Sequence, residues 1–272
     1  MSIPKVLAIH DMSCVGKAAL TVILPILAAC GVEAVPLPTA ILSNHLDFPH
    51  VEKFDFTSYM HAFMNVWSQN QTTFHAIYSG YLASPKQIQI VEDAISRYKI
   101  KKSIIMIDPV MGDKGKLYKG YEHDMVLGMK HLISYADIIK PNYTEACYLT
   151  DSEYKVDGVT KEEGIELLKK LRTIGTKSAL ITSISIDGQS SVIGYNNSSG
   201  DYFCLPYNEI PIHFPGTGDI FSAILIGHLL GNESLTNSTQ KAIDGVYRLI
   251  DLNKENEDKN RGIPLEQYLD IL

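Results

Sequence analysis

Val6-Leu7-Ala8-Ile9, then Lys17 to Cys30, then Ala34 to Pro38 is the stretch whose reading decides the fold. Four consecutive aliphatic residues are too short for a helix and suit a strand buried on both faces. Lys17 to Cys30 reads as a helix stopped by Gly31 as C-cap, and Ala34 to Pro38 as a second strand. Strand, helix and strand in that order predict a parallel pair joined by a crossover helix.

The alternation continues outward. Helices are expected near Ser58 to Ser68, over Pro85 to Tyr98 with Ser84 as N-cap, and over Glu122 to Ser134. Further helices are expected over Thr144 to Leu149 and over Lys161 to Ile174 behind a Thr160 cap. Between them fall strands at His75 to Tyr78, Ser103 to Ile107, Asp137 to Ile139 and Ala179 to Thr182. Ser190 to Leu205 reads as a hairpin turning at Asn196 to Gly200. Helices resume at Asp219 to Leu230 and Leu235 to Leu252. A polar connector over residues 253–260 then leads to a terminal helix near Leu265 to Leu269. The expected fold is α/β, a mostly parallel central sheet with helices on both faces, in one domain over residues 1–272. Its ligands should meet the edge formed by the strands' C-terminal ends.

Composition narrows the function. The 272 residues are 45% apolar and 20% charged, with a net charge of -7, which fits a cored enzyme and argues against nucleic acid as partner. The start, Met1 to Lys5, has no signal-peptide pattern, and the apolar run Ala18 to Cys30 is too short to span a bilayer. Cys14, Cys30, Cys147 and Cys204 form no CxxC pair, so reduced thiols, no membrane and a cytoplasmic setting are expected.

Two common phosphate motifs fail. Cys14-Val15-Gly16-Lys17-Ala18 lacks the first glycine and the Ser/Thr of a P-loop, and the first strand-to-helix turn lacks G-x-G-x-x-G. Pro215-Gly216-Thr217-Gly218-Asp219 is different. Two glycines permit close backbone approach, and a helix start attracts anions. Asp219 there could accept the proton of an attacking hydroxyl, or it could be an ordinary N-cap. Asp108-Pro109-Val110-Met111-Gly112-Asp113 follows a strand, where Asp108 could hold hydrated magnesium or merely build a turn. Asn142 and Glu145 also follow a strand, as site residues or as a capping box. Three such turns at one sheet edge are harder to explain as caps.

These segments, with Pro38 to His45 and Ser79-Gly80-Tyr81-Leu82, resemble the ribokinase superfamily and, within it, the pyridoxal kinase branch, over nearly the whole chain. The Ser43-Asn44-His45 run and the Gly80-Tyr81-Leu82 turn are the specific part. The resemblance implies a ribokinase-like three-layer fold and ATP-dependent phosphorylation of the 5′-hydroxymethyl group of pyridoxal, pyridoxine or pyridoxamine. By position it makes Asp219 the catalytic base and Gly216, Thr217 and Gly218 the anion hole. Asp108, Asn142, Glu145 and Thr182 fall near ATP, with Asp108 and Glu145 near Mg2+. Asp11, Ser43, His45 and Tyr81 line the vitamin pocket, where His45 has an equal claim as a structural histidine. The resemblance further implies a homodimer and leaves a K+ requirement open.

Two positions depart from the branch, which commonly has Ser where Asp11 stands and Thr where Leu46 stands. The runner-up is a hydroxymethylpyrimidine (phosphate) kinase, whose usual glycine-rich first turn is missing from His10-Asp11-Met12-Ser13-Cys14. A non-catalytic vitamin-binding protein would be expected to have lost the base or the anion turn, and both are present.

Overall fold

A computed structural model describes residues 3–271; Met1, Ser2 and Leu272, at the ends of the expected domain, lie outside the described residues. Among the described residues the eleven strands are β1 (Lys5–Val15), β2 (Glu33–Asn44), β3 (Lys53–Asp55), β4 (Phe74–Ser79), β5 (Lys99–Ile107), β6 (Gly112–Asp113), β7 (Lys116–Leu117), β8 (Ile138–Ile139), β9 (Ser178–Ile186), β10 (Gln189–Asn196) and β11 (Asp201–Pro206). Nine of them form one sheet in the order β11-β10-β9-β8-β5-β4-β1-β2-β3. Pairing is parallel from β9 through β8, β5, β4 and β1 to β2, and antiparallel only at the two flanks. The expected hairpin is present as β10 and β11, turning at Asn196 and Asp201.

Helices cover both faces, giving the three layers of a ribokinase-like fold. On one face lie α1 (Leu20–Ala29), α7 (Thr217–Leu230) and α8 (Leu235–Asn253). On the other lie α2 (Thr57–Gln69), α3 (Lys86–Tyr98), α4 (His123–Leu132), α5 (Tyr143–Thr150) and α6 (Lys161–Thr173). The opening strand shows why the layering follows from sequence. Leu7 and Ile9 pack into one core and Val6 and Ala8 into the other, all fully buried. A strand buried on both faces must be aliphatic at every position, not at alternate ones.

Several boundaries differ from the sequence expectation. The first helix starts at Leu20, not Lys17, because Ala19 has φ 55 and the preceding residues bend across the strand ends. Ser84 does not cap α3; the Gln87 side chain turns back and accepts the Ala83 amide at 2.7 Å. The terminal segment forms two short 3-10 turns, Leu265–Gln267 and Leu269–Ile271, in place of a helix. Beyond Ile9, β1 leaves β4 and pairs with β2 alone after a bulge between His10 and Met12. β1, β2 and β3 thus extend past the sheet as a flap on the ligand edge.

Candidate active site

Hydrogen bonds between strand ends carry the ladder one residue past the sheet and so fix the site. Gly80 N–H donates to Ile9 at 2.9 Å, Asp108 N–H to Ser79 at 2.8 Å, Lys140 N–H to Ile107 at 3.1 Å and Thr182 N–H to Pro141 at 3.0 Å. His10, Asp11, Asp108, Lys140, Asn142 and Thr182 are therefore set along one edge by main-chain geometry.

The glycine turn meets this edge from α7. Gly216 is the residue before the helix, with φ 77, and a Cβ there would lie 2.5 Å from the Lys17 carbonyl oxygen, so only glycine fits. Gly218 faces open space. The alternative of an N-cap aspartate does not hold, because Gly216 occupies that position and Asp219 lies inside the first turn. Its carboxylate reaches instead across the chain: Oδ2 accepts the Ala19 amide at 2.7 Å, and Oδ1 lies 3.2 Å from His10 Nε2.

Sequence reasoning missed two residues here, His10 and Lys140. Lys140 Nζ lies 2.8 Å from Asp108 Oδ2, and both residues are 4% exposed. Ser222 Oγ lies 3.1 Å from the same carboxylate oxygen, tying it to α7. Burial works against the Lys140 charge, yet Asp108 outweighs it and raises the ammonium above an ordinary lysine. Glu145 is pushed up to about 8, first by burial and then by the negative charge of Asp108. The signal for both missed residues was available: each is a polar side chain directly after a fully aliphatic strand run, at the edge where ligands bind.

Asn142 and Glu145 form the capping box, with the Asn142 side chain accepting Glu145 N–H at 2.9 Å and Glu145 accepting Asn142 N–H at 2.8 Å. That does not remove them from the site. Glu145 Oε1 also accepts Met111 N–H at 2.9 Å, and Asn142 Nδ2 donates to the Gly112 carbonyl at 2.8 Å, so the box fixes the turn after Asp108. Thr182 bridges to Asn142. Tyr81 is buried, with its ring edge-on to Tyr121 and its hydroxyl 3.2 Å from Lys53 Nζ.

Two further expected pocket residues, His45 and Ser43, hydrogen-bond within the protein. His45 Nε2 lies 2.5 Å from the Asn260 carbonyl, and its ring fills the space above Gly16. It clasps the C-terminal segment to the β1–α1 turn. Ser43 is exposed; its hydroxyl lies 2.7 Å from Asn44 Oδ1 and accepts Glu52 N–H at 3.0 Å, both within the flap. A cleft of about 700 Å3 opens between Cys14 to Lys17 and Asn256 to Pro264, and none of His10, Asp11, Asp108, Lys140 or Asp219 lines it. Among the described residues no His, Cys, Asp and Glu side chains converge as a metal cage.

A three-layer sheet presenting a glycine turn and an ionised aspartate beside a buried lysine is the build of a small-molecule kinase. The sequence profile of the phosphomethylpyrimidine kinase family matches residues 16–263, and the chain belongs to that family. A Bacteroides thetaiotaomicron protein, described as a candidate phosphomethylpyrimidine kinase and crystallised with pyridoxal, is 40% identical with TM-score 0.93, covering 98% of this chain and 95% of that one. Pyridoxal kinase of Dictyostelium discoideum is 27% identical over 98% of this chain and 92% of its own length. A candidate pyridoxal kinase of Schizosaccharomyces pombe is 30% identical over 71% of this chain, a match that spans 58% of that relative.

Breaking a buried ion pair strands the surviving charge. Lys140→Met should lower the unfolding free energy by about 3–5 kcal/mol. Lys140→Met combined with Asp108→Asn should cost clearly less than the sum of the two single changes in urea denaturation. Additive losses would show that the pair is not coupled.

Proposed function

We propose that this chain transfers the γ-phosphoryl group of ATP to the 5′-hydroxymethyl group of a vitamin B6 vitamer. The observation that carries the reading is the Asp219 carboxylate, held by the Ala19 amide at 2.7 Å inside the glycine turn that opens α7. An in-line transfer needs little covalent help from protein; it needs positioning and relief of charge. Asp219 takes the proton of the attacking hydroxyl as its oxygen bonds to the γ-phosphorus and the bond from that phosphorus to the β–γ bridging oxygen breaks, releasing ADP. The Gly216 to Gly218 amides receive the equatorial oxygens of the transferring group, and the Lys140 ammonium lowers the negative potential where they collect. Asn142 and Thr182 border the nucleotide side, and the whole chain works as one unit.

The residues fit a divalent cation that arrives on the nucleotide phosphates and keeps much of its water. Asp108 and Glu145 are the carboxylates that would hold it, and one of the two is already neutralised in part by Lys140. When bound, such an ion would screen phosphate charge.

Substrate selection falls to Asp11 and Tyr81. Asp11 is 7% exposed at the bulge in β1 and disfavours an anionic acceptor. The Tyr81 ring offers a face or edge for a flat heteroaromatic. Ser43 and His45 act through the flap. The family profile also keeps hydroxymethylpyrimidine in view. Values of kcat/KM for pyridoxal, pyridoxine, pyridoxamine and hydroxymethylpyrimidine should favour a B6 vitamer; clearly better turnover of the pyrimidine would reverse the substrate reading.

We further read the chain as a homodimer working in the cytoplasm. Phe54, Tyr59, Phe63 and Val66 are each 42% exposed or more on the flank of the edge strand β3, an apolar stripe suited to a second copy. The four cysteines are all unpaired, as a reducing compartment requires. Light scattering should give twice the 30.2 kDa chain mass, and a single-chain mass would count against the dimer.

A further inference from the structure

His10 is buried between two carboxylates and has no part in the transfer step as described. It is 3% exposed, with Nδ1 2.9 Å from Asp11 Oδ1 and Nε2 3.2 Å from Asp219 Oδ1. The site is shaped for the ring. A Cβ at residue 80 would stand 2.0 Å from His10 Cδ2, so Gly80 leaves the space that the imidazole occupies. The Asp11 N–H is also directed at Nδ1, at 3.0 Å, so Nδ1 faces a donor as well as the Asp11 carboxylate. A neutral ring accepting that amide would turn a lone pair toward Asp11 Oδ1. A doubly protonated ring faces a carboxylate at each nitrogen, through a hydrogen bond to Asp11 at Nδ1 and through an ion pair without hydrogen-bond alignment to Asp219 at Nε2.

We infer that His10 is a positioning residue for Asp219, an imidazolium clamped between Asp11 and Asp219 that holds the Asp219 carboxylate at the glycine turn. This rests on the reading of Asp219 as base. Burial opposes the charge on His10, but Asp219 and Asp11 together outweigh it and raise the ring to about 10. Burial likewise pushes Asp219 up, while His10, the Ala19 amide and Lys140 bring it below an ordinary aspartate. The other groups facing this pair are Tyr78 on β4, 6.1 Å from the His10 ring, Asp108 after β5 and Lys140 after β8. Tyr78 remains a neutral phenol, because burial and then Asp108 raise it well above its usual value. The Asp108 and Lys140 charges offset each other, which leaves His10 as the cation in contact with the base.

The test is the pH profile of kcat at saturating ATP and acceptor, using whichever alcohol the wild-type protein phosphorylates. Activity needs Asp219 ionised, so it falls as pH drops through the Asp219 pKa in the complex. Loss of the neighbouring cation raises that pKa. His10→Gln should therefore move the acid limb upward by about one to three pH units, with the KM for ATP unchanged. Gly80→Ala, which displaces the ring but keeps it, should shift the limb in the same direction and decides the matter if His10→Gln does not fold. A uniform fall in kcat with the limb in place would make His10 merely structural and overturn the inference. Nitrogen NMR of histidine-labelled protein at pH 8 should show a resonance pair with both ring nitrogens protonated that disappears in His10→Gln; a neutral ring would also overturn it. Wild-type protein that phosphorylates only a non-B6 alcohol would sink the substrate reading and leave this comparison intact.

Discussion

Three carboxylates, those of Asp11, Asp108 and Asp219, cannot be buried at one sheet edge without cations among them. His10 and Lys140 supply that charge, at 2.9 and 3.2 Å from Asp11 and Asp219, and at 2.8 Å from Asp108. The parallel sheet makes the arrangement affordable, since the strands' main-chain ladder fixes each side chain before any side-chain contact forms. Side-chain entropy that a surface ion pair would lose is already spent by burial in the strand ends. The same cations leave Asp219 ionised, which is the state a proton acceptor needs.

A second constraint links distant parts of the chain to the glycine turn. Gly216 packs on the Lys17 carbonyl, Gly262 packs on Lys17, and Lys17 N–H donates to the Arg261 carbonyl at 2.9 Å. His45 adds its contact to Asn260. The β1–α1 turn is therefore held between the C-terminal segment on one side and the anion turn on the other. The polar connector after α8 and the residues that follow it thus serve the site as a brace.

The layered fold was legible because its central strands read as unbroken apolar runs, as in Val6 to Ile9 and Ile104 to Ile107. Helix ends were less so. Ala19 adopts a backbone set by the Asp219 contact 200 residues away, which no local pattern encodes. At the site, Gly216 to Asp219, Asp108, Asn142 and Glu145 stood out by type and by position after strands, and the structure brings them together. His10 and Lys140 escaped notice because a lone polar residue after a strand has many ordinary explanations, and only the fold shows which carboxylates it meets. Ser43 and His45 came from a resemblance, and their hydrogen bonds serve the flap and the C-terminal brace. A sequence motif preserves residue type without saying which partner the side chain keeps.

The central claim is that Asp219 is the proton acceptor of a phosphoryl transfer at this edge. Single-turnover transfer from ATP to pyridoxal by Asp219→Asn, with the ATP Kd measured alongside, tests it most directly. The account predicts that the asparagine, close in shape but no base, lowers the transfer rate by about 10²-fold or more while the ATP Kd stays near the wild-type value. Transfer at a near-normal rate would remove Asp219 from that role and the account with it.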